Sequence, residues 1–180
     1  AHRMTARPQL PVSVVIAALD ATATIGQQLD ALARQDHAGE WEVVVADNGS
    51  TDGTPATVMR WADRLPGLRV VDASLQRGVG HARNAGVRAS EGDLVLMCDA
   101  DDVVSPQWVR AMVEAADSFD ALGGRLDVES LNPTFVDGEQ PLGFQDGLEV
   151  YGGFLPFAAT ANCAFTRELF EHVGGFDPAF

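Results

Sequence analysis

Three carboxylates fall within four residues at Asp99, Asp101 and Asp102, separated only by Ala100. Side chains this close repel one another. Two unit charges about 4 Å apart cost about 1 kcal/mol in water and about 4 kcal/mol at an effective dielectric near 20. A divalent cation removes that cost, and hard oxygen ligands suit Mg²⁺ or Mn²⁺. In an extended segment residues 99 and 101 point to one side, so Asp99 and Asp101 are expected to face a single ion. Two further acids, Asp20 and Asp47, each follow a short apolar run, where an isolated Asp reads first as a turn or cap residue.

The elements that would position these acids alternate in kind. Apolar runs at Val12–Ala17, Trp41–Ala46, Leu68–Val71 and Leu94–Cys98 are expected to be strands, the continuous ones buried on both faces. Between them lie amphipathic stretches with helical spacing. Ile25, Leu29, Leu32 and Ala33 form one stripe behind a cap at Thr22 or Thr24. Val58, Trp61, Ala62 and Leu65 form another behind Thr54-Pro55, with Thr as N-cap and Pro at the first helical position. Val79 to Ala89 reads as a third helix. Ser105-Pro106 opens a fourth, striped by Val109, Met112, Val113 and Ala116, and Arg167 to Val173 a fifth that ends at Gly174-Gly175. Such alternation predicts an α/β domain with a mostly parallel central sheet and helices on both faces. Ligands of such sheets bind beyond the carboxyl ends of the strands, where Asp20, Asp47 and the Asp99–Asp102 cluster stand. From 123 to 153 the chain is rich in Gly, Pro, Asp and Glu and reads as long loops with one or two short strands, a binding surface or lid.

Composition narrows the partners. The 180 residues carry 12 Lys and Arg against 26 Asp and Glu, a formal charge of −14. A nucleic-acid binder needs a basic footprint, which this chain lacks. Any anionic ligand must therefore be held by local cations, helix N-termini or a bound metal, against the overall field. No run of eighteen apolar residues predicts a membrane span, and no apolar segment follows the basic N-terminus to make a secretory signal. Cys98 and Cys163 do not form a disulfide framework, so a cytoplasmic place is expected, with a peripheral position at the inner membrane face left open. Other motifs fail on spacing. Gly78-Val79-Gly80-His81-Ala82-Arg83 has Arg at the third glycine of a dinucleotide fingerprint. The Asp47–Asp52 loop lacks the glycine and the twelfth-position acid of a calcium hand.

Five segments in order carry a resemblance: Val12–Ile16, Val44–Thr54 (Val-Val-Ala-Asp-Asn-Gly-Ser-Thr-Asp-Gly-Thr), Arg77–Gly86 (Arg-Gly-Val-Gly-His-Ala-Arg-Asn-Ala-Gly), Glu91–Asp102, and Val173–Asp177 (Val-Gly-Gly-Phe-Asp). Together they resemble the family 2 glycosyltransferases of GT-A fold over residues 11 to 180. The resemblance implies transfer of a sugar from a nucleotide diphosphate donor to an acceptor hydroxyl with inversion, assisted by Mn²⁺ or Mg²⁺. It implies donor-nucleotide contacts at Ala17, Leu19, Asp47, Asp52, Arg83 and Asp99, and metal ligation by Asp101 and Asp99. Asn162 and Asp102 are expected near the sugar or acceptor, which would be a carbohydrate, a lipid-linked molecule or a small molecule. The expected organisation is a tail at 1–10 and one domain at 11–180, with a nucleotide-binding half at 11–102 and an acceptor-side half at 103–180.

Two departures from the family pattern stand out. The first strand leads into Ala17-Ala18-Leu19-Asp20, without the aromatic that commonly lies against the base. The family's catalytic base belongs to a Glu-Asp pair a short distance after Gly-Gly-Phe-Asp, so it is expected beyond Phe180 and the domain is expected to be truncated there. The alternative reading is a nucleotide-sugar-binding module with little or no turnover. A nucleotidyltransferase ranks behind both, because residues 17–22 hold neither the glycines nor the cations that grip a triphosphate.

Overall fold

A computed structural model describes residues 10–127, 148 and 157–177. Six strands form one sheet: β1 (Val12–Ala18), β2 (Trp41–Asp47), β3 (Arg69–Asp72), β4 (Leu94–Cys98), β5 (Ala121–Gly123) and β6 (Asn162–Thr166). Five helices accompany them: α1 (Ile25–Leu32), α2 (Thr54–Met59), α3 (Val79–Ala89), α4 (Trp108–Ala116) and α5 (Arg167–Val173). The strand order is β3-β2-β1-β4-β6-β5. β1 pairs in parallel with β2 and β4, and β2 with β3. β6 runs antiparallel to both β4 and β5.

The period-2 alternation of the strands sorts their side chains into two cores. Val14 and Ile16 of β1, Val43 and Val45 of β2, and Leu94 and Leu96 of β4 meet α1, α2 and α4 through Ile25, Leu29, Val58, Val109 and Met112. On the other face Val15, Val44, Val95 and Met97 meet Val87 of α3 and Phe170 of α5. Every residue of β4 is buried, so the expectation of a sheet covered on both faces holds. The approach of α3 is close: a Cβ on Gly86 would lie 2.5 Å from Val15 Cγ1 and 3.3 Å from Ala46 Cβ.

The chain steps outward from β1 through β2 to β3, then returns through α3 to place β4 on the other side of β1. Crossovers in opposite directions with one handedness lie on opposite faces, which is why α3 faces away from α1 and α2. The reversal opens a crevice at the carboxyl ends of β1 and β4, the position where doubly wound sheets bind ligands.

Several boundaries differ from the sequence reading. α2 is six residues long and begins at Thr54, with Gly53 at the N-cap. Thr54 does not cap, because its hydroxyl is already engaged by Asp52 and by the Ala21 amide. α4 begins at Trp108, after a turn in which the Trp108 N–H donates to the Ser105 carbonyl. β5 ends on Gly123, the first residue of the Gly- and Pro-rich stretch. Of the stretch at 123–153 expected to form a binding surface or lid, residues 128–147 and 149–153 lie outside the described residues. Among the described residues no helix is long and apolar enough to cross a membrane.

Candidate functional site

The carboxyl ends of β2, β1 and β4 lie side by side, and the acids that follow them line one edge of the sheet. Two strand spacings, about 10 Å, separate the end of β2 from the end of β4.

The β2 end is held by polar side chains acting on loops. Asn48 Nδ2 donates to the Ala73 carbonyl (2.6 Å) and the Gln76 carbonyl (2.9 Å), and its Oδ1 accepts from the Gly78 N–H (2.9 Å). Its own amide donates to the Ala18 carbonyl (2.8 Å). This one residue ties together the ends of β1 and β2 and the loop that enters α3. Asp20, in the left-handed region at φ 50°, accepts from the Thr51 N–H (2.7 Å), while its amide donates to Ser50 Oγ (2.9 Å). Asp52 accepts from the Thr22 N–H (2.9 Å), the Thr54 N–H (2.9 Å) and the Thr54 hydroxyl (2.6 Å). Those hydrogen bonds, the Thr54 hydroxyl foremost, hold its carboxyl below the usual range. Asp20 and Asp52 therefore lace the β1–α1 loop to the β2–α2 loop.

Asp47 is different. It closes β2 and is 9% exposed; Oδ2 accepts from the Ser50 N–H (3.2 Å), while Oδ1 is buried and has no partner. A buried polar atom left without a hydrogen bond costs about 1–3 kcal/mol, so Oδ1 is an acceptor with capacity to spare. Ala17, paired with Ala46 across β1 and β2, is partly buried, and Leu19, just past β1, is 44% exposed.

At the β4 end the expected extended segment is a turn: the Asp102 N–H donates to the Asp99 carbonyl (3.4 Å), and Ala100 is buried. Asp99 and Asp101 accordingly do not share one side of a strand, a correction to the spacing argument. Asp99 Oδ1 accepts from Arg83 Nη2 (3.0 Å), Asp101 is exposed, and Asp102 is half-buried with Oδ2 lacking a partner. Burial first, then the charges of Asp99 and Asp101, push the Asp102 carboxyl up to about 6. The Cys98 thiol beneath the turn is also pushed up by burial, which makes it a small apolar filler rather than a nucleophile.

These residues fit a divalent cation. The donors are hard oxygens, the Asp102 Oδ2 is buried and unpartnered among the described residues, and Arg83 meets the charge of Asp99 alone of the three carboxylates. Among the described residues no three His, Cys, Asp or Glu side chains converge into a cage. Mg²⁺ and Mn²⁺ at phosphate sites use one or two carboxylates, with the remaining ligands from substrate and water.

Arg83 reaches the cluster from α3. Its side chain is 12% exposed and its Nε is buried without a partner. Asn162, expected near the sugar, has both ends of its amide engaged: Oδ1 accepts from Trp108 Nε1 (2.8 Å) and Nδ2 donates to the Arg125 carbonyl (2.8 Å). It thus joins α4 to the end of β6. The lacing by Asn48 and the Trp108–Asn162 bond were not legible beforehand, since they join residues 25 to 54 positions apart.

Comparison with known proteins agrees with this fold. The family model described as glycosyl transferase family 2 matches residues 13–174. The succinoglycan biosynthesis protein ExoO of Rhizobium meliloti is 37% identical over 127 residues, covering 71% of this chain and 35% of that protein. A validoxylamine A glucosyltransferase of Streptomyces hygroscopicus is 38% identical over 105 residues, covering 58% of this chain and 23% of that protein. Among solved structures, the mannosyltransferase PcManGT of Pyrobaculum calidifontis, in complex with GDP-Man and Mn²⁺, superposes with a TM-score of 0.73 at 26% identity, over 95% of this chain and 48% of that one. S. aureus TarS 1-349 with UDP-GlcNAc shares the fold, with a TM-score of 0.74 at 23% identity, over 93% of this chain and 48% of that one. The chain thus spans half or less of the length of each of these proteins. With its GT-A sheet and a family model matching most of its length, the chain belongs to glycosyl transferase family 2.

Proposed function

We propose that this domain binds a nucleoside diphosphate sugar and transfers the sugar to an acceptor hydroxyl with inversion, assisted by Mn²⁺ or Mg²⁺. The observation that carries the reading is the pair of unpartnered buried carboxylate oxygens, Asp47 Oδ1 and Asp102 Oδ2, at strand ends flanking the switch point of the sheet. Asp47 accepts hydrogen bonds from the nucleoside, whose base rests near Ala17 and Leu19. Asp52 acts on that pocket by fixing its loop. Asp101, with the Asp99 oxygen not bound to Arg83, holds the cation, and Asp102 lies on the sugar side of the cluster. When bound, the cation neutralises charge on the leaving diphosphate. Arg83 adds the nearest fixed positive charge. Asn162 keeps β6 and α4 in place beside the sugar, and no residue of this chain is assigned the role of general base.

The names of the relatives support sugar transfer, and PcManGT with GDP-Man and Mn²⁺ supports the donor class and the ion. The test incubates the full-length protein with UDP-, GDP- and dTDP-sugars in Mn²⁺ and measures nucleoside diphosphate release together with the anomeric configuration of the product. Release from at least one donor with inverted product is expected. Tight donor binding without release would favour the binding-module reading, and no binding of any donor would overturn the proposal.

A further inference from the structure

Asn84 of α3 and Phe176, 92 positions later, form a two-bond clamp. Asn84 Nδ2 donates to the Phe176 carbonyl (2.8 Å), and the Phe176 N–H donates to Asn84 Oδ1 (2.9 Å). The turn before Phe176 has closed tightly on the helix. Gly175 adopts φ 82°, and a Cβ there would lie 2.7 Å from Asn84 Oδ1 and 2.9 Å from Phe170 Cζ. The clamp fixes the Phe176 ring among Phe165 and Phe170, with ring centroids 6.0 and 6.2 Å away.

Arg83 also neighbours that ring, its Cζ 5.9 Å from the centroid. Arg83 is mostly buried, its Nε has no partner, and its charge is matched by Asp99 through one hydrogen bond of 3.0 Å. A long side chain with one terminal bond would sample other rotamers. An aromatic face beneath the guanidinium opposes that by packing and by cation–π attraction.

We propose that Phe176 and Asn84 are positioning residues for the donor site, holding the Arg83 guanidinium on Asp99 and so orienting the carboxylate next to the diphosphate. The inference rests on the donor-site reading above for its effect on binding, but the clamp itself is testable without any ligand.

The first test is spectroscopic, on the apo full-length protein in EDTA. Because Arg83 Nε is buried, its N–H resonance should be protected from exchange with water and shifted by the ring. Phe176→Leu should move that resonance and speed its exchange, Phe176→Tyr should restore both, and an unchanged resonance in Phe176→Leu would overturn the proposal. The second test is a double-mutant cycle on UDP and GDP affinity in Mn²⁺, with melting temperatures measured in parallel. Phe176→Leu should weaken binding about threefold, the scale of a partly desolvated cation–π contact. The same substitution in an Arg83→Met background should change affinity little, because the coupling is lost. Equal effects in both backgrounds would overturn the proposal. If wild-type protein bound neither nucleotide while the resonance behaved as described, the donor reading would fail and the clamp would stand.

Discussion

Replacing Asp47 by Asn tests whether the unpartnered oxygen at the end of β2 is a ligand position or a packing accident. The side chain is nearly buried, its Oδ2 accepts from the Ser50 N–H at 3.2 Å, and its Oδ1 has no partner among the described residues. Asn keeps the shape and keeps one acceptor for Ser50, so the fold loses no hydrogen bond. What changes is the second position, from a charged acceptor to a neutral donor. A hydrogen bond to a charged group contributes about 1.5–3 kcal/mol, so nucleoside diphosphate affinity should fall roughly 10- to 150-fold. The melting temperature should stay within about 2 °C of wild type, less than the 2–4 °C shift that about 1 kcal/mol produces in a domain of this size. Calorimetric titration with UDP, GDP and dTDP beside a thermal melt gives both numbers. Unchanged affinity for the bound nucleotide, or a loss of stability large enough to account for the loss of binding, would refute the reasoning.

Further outcomes follow from the same geometry. Asp101→Ala, at an exposed position, should leave the melting temperature unchanged and abolish the Mn²⁺-dependent part of nucleotide binding while sparing the part that persists in EDTA. Gly86→Ala places a methyl 2.5 Å from Val15 Cγ1; overpacking of this kind costs about 1–3 kcal/mol, read as a lower urea midpoint with an unchanged slope. At the opposite edge of the sheet Glu42 accepts from Ser13 Oγ (2.6 Å), the Glu91 N–H (2.6 Å) and Arg69. Burial alone would raise its carboxyl, but these hydrogen bonds and the Arg69 charge outweigh it and hold the group below its ordinary value. The stability it contributes is therefore full above the unfolded-state value near 4.5 and is lost as pH falls through the lower folded-state value. Glu42→Gln should cost about 1 kcal/mol at pH 7, a figure already discounted for the one-third exposure of Arg69. That cost should shrink in melts taken below pH 4, and a penalty constant from pH 7 to pH 3 would contradict the assignment.

The sheet was legible because its signals are local. Val14, Val15 and Ile16 are apolar without alternation, and the structure buries all three, on both faces. Arg167 to Val173 carried both its start and its Gly174 stop, and the helix has those bounds. The antiparallel placement of β6 between β4 and β5 had no local signal, since strand direction depends on a connection whose pattern breaks after residue 122. At the site, residue types located the acids but not their division of labour. Asp52 spends both oxygens and Asp20 its Oδ1 on groups of neighbouring loops, whereas Asp47 and Asp102 each bury an oxygen without a partner among the described residues, and spacing alone cannot distinguish these. The Asp99–Asp102 segment was read as extended because β4 precedes it. A turn bonded from Asp102 to the Asp99 carbonyl replaced that geometry. The joining of Asn84 to Phe176 lay beyond reach for a simpler reason: nothing in either motif refers to the other.

A chain of charge −14 should hold a pyrophosphate through a cation on the acids ending β4. Titrating the full-length protein with UDP, GDP and dTDP, once in Mn²⁺ and once in EDTA, measures it directly. The account predicts binding of at least one nucleotide in Mn²⁺, with affinity at least about tenfold weaker in EDTA, the loss expected for about 1.4 kcal/mol of cation-mediated contact. Equal affinity under both conditions, or no binding in either, would contradict it.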